Sequence, residues 1–234
     1  MKIAMWSGPR NLSTAMMYAF GNRVDCAITD EPFYAAYLHH TGVQHPMGAD
    51  IMASQPTDPA TVVQTLTGPN PGGRAIWYQK HMTHHMIDGF PMDWLEQVTN
   101  VFLIRHPARV MASYQRKREN PTLGDLGFVE QKQIYDACVA RGQAPVVIDS
   151  DDILQNPVRA LRRLCDGIGI TFDPAMLSWP AGPRDADGIW AAHWYDAVHK
   201  STGFGPPPGD MPDIPADDPT LTAALRIYDE FRGV

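Results

Sequence analysis

The chain has 234 residues, enough to bury a sizeable core in one α/β domain or at most two small ones. Its 19 basic and 26 acidic residues leave a net charge of −7. That balance excludes general binding to nucleic acid or to an anionic membrane through a basic face, so any anion site must be local. No run approaches the ~18 apolar residues of a membrane span, and the first strand begins without a charged-then-apolar leader. Cys26, Cys138 and Cys165 are widely separated and form no C-x-x-C or zinc spacing. The expectation is therefore a single domain over 1–234, cytoplasmic, with reduced thiols.

The run Ile3–Trp6 is too short for a buried helix and meets the turn signal Gly8-Pro9, so it predicts a strand. Asn11 stands where an N-cap belongs, before a helix whose apolar body runs from Ala15 to Phe20 and stops at Gly21 and Asn22. A strand feeding a helix through a tight loop aims several backbone N–H groups and the positive end of the helix dipole at one point. Gly8, Pro9, Arg10, Asn11, Leu12, Ser13 and Thr14 thus form a candidate anion cradle. Arg10 adds a donor fork suited to phosphate or sulfate oxygens, and Ser13 and Thr14 add hydroxyls. The loop is not a Walker A motif. Aligned on Gly8, it has Ser13, Thr14 and Ala15 where Gly, Lys and Ser/Thr belong, so the phosphate-reaching lysine is missing and magnesium-ATP chemistry is poorly supported.

A second strand, Cys26–Asp30, ends in Asp30-Glu31-Pro32, which puts two carboxylates at a C-terminal strand tip, where α/β proteins place their chemistry. Residues 33–41 read as a short helix. The proline-rich stretch 42–74 reads as an insertion or lid, helical only over Ala60–Leu66. A third strand, Ala75–Gln79, is followed by Lys80 and His81, and Met92–Gln97 reads as a short helix. The fourth strand, Val101–Ile104, ends in Arg105-His106-Pro107, with Pro107 at the first position of a helix reaching about Glu119. A helix from Gly127 or Phe128 to Ala140, a fifth strand at Val146–Ile148 and a helix from Pro157 to near Gly167 complete the alternation. That alternation predicts an α/β fold with a mainly parallel central sheet of about five strands flanked by helices on both faces. The segment 201–219 is a Pro/Gly/Asp-rich tail, and Leu221–Phe231 is a final helix.

The histidines His81, His84 and His85 are close together, and His81 and His85 have i, i+4 spacing, but no H-E-x-x-H glutamate lies between them. They are read as a solvated or capping cluster, and no metal is expected. The stretch Val101 to Tyr114 repeats the physics of the opening, with Arg105 at a strand tip and Ser113 inside the following helix. Two anion sites on adjacent strand ends suit a nucleotide with two separated anionic groups.

The pair Gly8–Thr14 and Arg105-x7-Ser113 resembles the phosphosulfate loop and the 3′-phosphate motif of the PAPS-dependent sulfotransferases. Glu31-Pro32, Lys80-His81 and the segment Val147 to Pro157 follow in the family's order. The resemblance implies a three-layer, P-loop-type fold that binds 3′-phosphoadenosine 5′-phosphosulfate (PAPS) and passes its sulfuryl group to a hydroxyl or amine of a small-molecule acceptor. On that resemblance the loop residues Gly8 to Thr14 hold the phosphosulfate, and Arg105 with Ser113 holds the 3′-phosphate. Glu31 is the first choice of general base and His81 the second, while Lys80 steadies the leaving group or the sulfuryl oxygens. The family's closing glycine-rich segment has no counterpart here; the stretch Trp190 to Phe204 is the candidate for its role, through Lys200, Ser201 and Thr202. Many members carry lysine where Arg10 stands. Two other readings stay open, a P-loop nucleotide or small-molecule kinase and a non-catalytic nucleotide-binding relative.

Overall fold

In the computed structural model, residues 1–115 and 121–233 are described. The sheet has five strands, β1 (Lys2–Ser7), β2 (Cys26–Asp30), β3 (Ile76–Met82), β4 (Thr99–Ile104) and β5 (Val146–Asp149), in the order β2-β3-β1-β4-β5. Every pairing is parallel. Strands covered on both faces read as continuous apolar runs, which is why short stretches such as Ile3–Trp6 announce themselves.

Alternation along each strand divides the core in two. Ile3, Met5, Tyr78, Val101 and Leu103 pack with Met16, Met17, Ile153 and Leu161 on one face. Ala4, Trp6, Trp77, Phe102 and Ile104 pack with Phe128, Ile134, Val62 and Phe231 on the other. The helix α1 (Ser13–Gly21) and the helix Pro157–Ile168 lie on the first face, and the helices Phe128–Ala140 and Pro219–Arg232 on the second. The chain leaves β1 toward β2 but leaves β4 toward β5, so the loops after these two neighbouring strands diverge. That divergence opens a crevice at their C-terminal ends, the usual ligand position in open α/β sheets.

Several boundaries differ from expectation. β3 runs on to Met82, so Lys80 and His81 lie within the ladder, opposite Met5 and Trp6 of β1, and not beyond its end. A lysine is tolerated there because β2 supplies carboxylates beside it. The stretch 42–74 holds a helix at Gly48–Ser54 besides Pro59–Thr67; Gly48–Ser54 is weakly apolar, and within it only Ile51 is buried. Asn11 is not an N-cap: α1 starts at Ser13 after Leu12, with no side-chain cap. The helix beginning at Pro107 is described to Gln115, and its expected end near Glu119 lies outside the described residues. No helix among the described residues is long and apolar enough to cross a membrane.

Candidate active site

The loop between β1 and α1 is held in an unusual backbone shape. Arg10 and Leu12 both adopt left-handed φ, 65° and 69°. For residues with a Cβ, such conformations cost about 1–3 kcal/mol each and persist only where the surroundings impose them. Those surroundings come from β4, from the helix after it and from Ser150. Asn11 Nδ2 donates to the Leu103 carbonyl at 3.2 Å, and Arg105 Nη1 donates to the Arg10 carbonyl at 2.7 Å. The Ser150 hydroxyl lies 2.9 Å from the Asn11 carbonyl oxygen and 2.8 Å from that of Ile104. Gly8 is required by close approach, since a Cβ there would sit 2.5 Å from the Leu126 carbonyl oxygen.

Asn11 therefore shapes the loop from beneath. With no side chain capping α1, its first-turn N–H groups stay directed at the crevice. Ser13 is buried at the same place. Arg10 Nε donates to Ser113 Oγ at 3.0 Å. The two motifs thus meet, and Arg10, Arg105 and Ser113 form one cluster between β1 and β4.

A second cluster occupies the tips of β2 and β3. Lys80 is 1% exposed, and its ammonium donates to Asp30 Oδ1 at 2.8 Å, Glu31 Oε1 at 2.5 Å and the Tyr195 hydroxyl at 2.7 Å. All three N–H bonds are committed to protein oxygens. This corrects the expectation of a lysine reaching sulfuryl oxygens: as placed, Lys80 acts on the carboxylates. Glu31 also has a left-handed φ, 39°, directly before Pro32, where the preceding residue normally stays extended. Its N–H donates to the Lys80 carbonyl at 3.0 Å, and Gln55 Nε2 donates to its own carbonyl at 3.3 Å. Burial raises the Glu31 carboxyl above the ordinary range against the pull of Lys80, with Asp30 adding to the rise.

His81 points to the opposite face of β3. It stacks on Trp6 at 4.4 Å between ring centroids, with Phe33 and Trp94 around it, and burial lowers it to about 3, so it is neutral. The structure does not bring it together with Glu31. His84 and His85 pack against Tyr37, and burial depresses both, to about 4 for His84. Among the described residues, no group of three or more His, Cys, Asp and Glu side chains is placed to hold a metal ion.

The C-terminal candidates are placed differently from expectation. Ser201 Oγ accepts from Trp179 Nε1 at 3.1 Å and donates to the Val198 carbonyl at 2.7 Å, while the Thr202 carbonyl accepts from the Trp179 N–H. Ser201 and Thr202 thus fasten the chain to Trp179, whose ring meets Tyr18 of α1 edge-on, and Lys200 caps the short helix before them. What the same stretch brings to the site is Tyr195. In sequence that stretch pointed to Lys200, Ser201 and Thr202, and nothing local marks the Tyr195 hydroxyl as a partner of Asp30. Arg109 went unremarked as well: it pairs with Asp151 at 2.7 Å and holds the tail through the Gly209 and Asp210 carbonyls.

A family model described as "Sulfotransferase domain" matches residues 1–233. The "Branched-chain-amino-acid aminotransferase-like protein 2" of Arabidopsis thaliana is 37% identical over 233 residues, which is 98% of this chain but 41% of that protein. The chain therefore spans under half the length of this curated relative, whose name belongs to the whole protein. Among solved structures, the sulfotransferase domain of the Synechococcus PCC 7002 olefin synthase superposes with a TM-score of 0.57 at 15% identity, covering 99% of this chain and 94% of that one. The sulfotransferase domain from the curacin biosynthetic pathway gives 0.55 at 16%, covering 98% and 96%. At these identities the two structures speak to the fold.

Proposed function

The chain belongs to the sulfotransferase-domain family, and from that membership we propose that it passes a sulfuryl group from PAPS to a hydroxyl or amine of a small-molecule acceptor. The observation that carries this reading is the single cluster of Arg10, Arg105, Ser113 and the uncapped start of α1 at the crevice between β1 and β4. The donor set fits such a ligand, being cationic and N–H-rich, with Gly8 admitting close approach of the backbone. When bound, PAPS supplies the activated sulfuryl group.

In this reading the 8–14 loop holds the phosphosulfate end, and Arg105 with Ser113 holds the 3′-phosphate, so nucleotide binding replaces the Arg10–Ser113 bond with bonds to the ligand. Charge developing on the sulfuryl oxygens is met by Arg10 and the loop N–H groups. The acceptor oxygen or nitrogen bonds to sulfur as the bond from sulfur to the phosphate oxygen breaks, and Glu31 takes the acceptor proton. Glu31 is preferred to His81, whose ring is enclosed by aromatic neighbours on the other face of β3. Against the kinase reading, Asp149 at the tip of β5, where a magnesium-holding aspartate would stand, is buried and accepts from Tyr228 at 2.5 Å and from Arg232 at 3.4 Å. Three unpaired cysteines suit a reducing, cytoplasmic setting.

A thermal titration tests the reading. Adenosine 3′,5′-bisphosphate without magnesium should stabilise the chain, by about 2.7 kcal/mol at a hundredfold excess over Kd. Arg105→Ala should weaken that binding roughly 10- to 100-fold through loss of a charge-assisted contact. Stabilisation by ATP with magnesium alone would contradict it.

A further inference from the structure

The cluster at the tips of β2 and β3 holds two carboxylates and one ammonium, and its two carboxylates are treated unequally. Asp30 accepts from Lys80 at 2.8 Å, from the Tyr195 hydroxyl at 2.8 and 2.9 Å and from the Gly188 N–H at 3.1 Å. Glu31 receives Lys80 at 2.5 Å, with the Tyr195 hydroxyl at a marginal 3.5 Å. Trp190 Nε1 donates to the same hydroxyl at 3.3 Å, so the one proton of Tyr195 is directed at Asp30 while its oxygen receives Lys80 and Trp190. Asp30 is thus surrounded by fixed donors, and Glu31 shares a single cation with it.

We infer that Asp30 and Tyr195 are positioning residues for Glu31 that act in opposite senses: Asp30 competes with Glu31 for the Lys80 ammonium, and the Tyr195 hydroxyl, by donating to Asp30, limits that competition, with Glu31 the carboxylate that takes up and releases a proton. The assignment rests on the reading of Glu31 as the base. It also gives the segment 188–195 a role in the site, because Gly188 and Tyr195 come from the C-terminal part of the chain, 158 and 165 positions from Asp30. Burial raises a carboxyl, and Glu31, whose one close partner is a cation that it shares with Asp30, is raised for that reason.

The groups facing Glu31 are Asp30 on β2, Lys80 on β3, Tyr195 on the C-terminal segment and Tyr34 on the helix Tyr34–Thr41. His84 and His85 beyond them are held neutral by burial. Asp30 pushes the Glu31 carboxyl up and Tyr195 pulls it down. Removing each partner therefore shifts Glu31 in opposite directions. In Asp30→Asn, Lys80 belongs to Glu31 alone, and the carboxyl should titrate about one pH unit lower. In Tyr195→Phe, Asp30 loses its hydroxyl donor and claims more of Lys80, so Glu31 should titrate higher.

The measurement is carboxyl ¹³C NMR on the chain labelled at glutamate, with the Glu31 resonance assigned by Glu31→Gln and titrated in wild type, Asp30→Asn and Tyr195→Phe. Tyr195→Phe keeps the ring and removes only the hydroxyl, so it reads the network even if Asp30→Asn folds poorly. Opposite displacements, or an upward displacement in Tyr195→Phe alone, support the assignment. An unmoved Glu31, or a downward move in Tyr195→Phe, overturns it. The readout needs no turnover, so displaced titrations in a chain that transfers no sulfuryl group would leave the network standing and count against the proposed function instead.

Discussion

Glu31→Gln should lower sulfuryl transfer from PAPS by roughly 10²- to 10⁴-fold, the range expected for loss of a positioned general base. The substitution keeps the shape of the side chain and removes its ability to take a proton. Lys80 retains Asp30 and Tyr195 as partners, so the fold should hold. Affinity for adenosine 3′,5′-bisphosphate should stay within about twofold, because Arg10, Arg105 and Ser113 belong to a separate cluster with its own contacts. Radiolabelled sulfate transfer across an acceptor panel, with binding measured on the same samples, separates the two quantities. Equal transfer by wild type and Glu31→Gln would remove Glu31 from the mechanism. Binding without transfer in both would favour a non-catalytic nucleotide-binding relative.

Lys80→Met should cost stability as well as activity. Lys80 is the cation among two buried carboxylates, and removing one partner of a buried ionic cluster leaves uncompensated charge worth about 3–5 kcal/mol. For a chain of this length, that is roughly 6–20 °C in Tm. The double variant Lys80→Met with Asp30→Asn should recover part of the loss, since one of the stranded charges is then gone. Calorimetry on wild type, the single variants and the double variant measures the coupling. A Tm for Lys80→Met within a degree or two of wild type would mean that the cluster is solvated or rearranged.

The sheet was legible because its strands are buried on both faces and appear as unbroken apolar runs between turn residues, as at Val101–Ile104. The loop was legible as a strand-to-helix turn because Gly8, Pro9 and Arg10 sit where strand gives way to helix. What escaped depends on contacts distant in sequence. Lys80 looks like the end of a strand, and becomes an interior residue only because Asp30 and Glu31 neutralise it across the ladder. Leu12 offers no sign that it takes the position expected of Asn11; the left-handed turn there is imposed by Arg105, Ser150 and the Leu103 carbonyl. Ser201 resembles a ligand-binding hydroxyl until Trp179 is placed beside it. Tyr195 could not be singled out from its neighbours, since its role follows from meeting a strand tip 165 positions away.

The central claim is that the strand-to-helix loop and the Arg105–Ser113 motif together grip the two anionic ends of one nucleotide. A crystal structure of the chain with adenosine 3′,5′-bisphosphate tests it most directly. The expected result is the 5′-phosphate against the N–H groups of residues 8–14 and Arg10, with the 3′-phosphate against Arg105 and Ser113 and the Arg10–Ser113 bond opened. A bisphosphate bound elsewhere, or one held with the Arg10–Ser113 bond intact and Arg105 turned away, would contradict it.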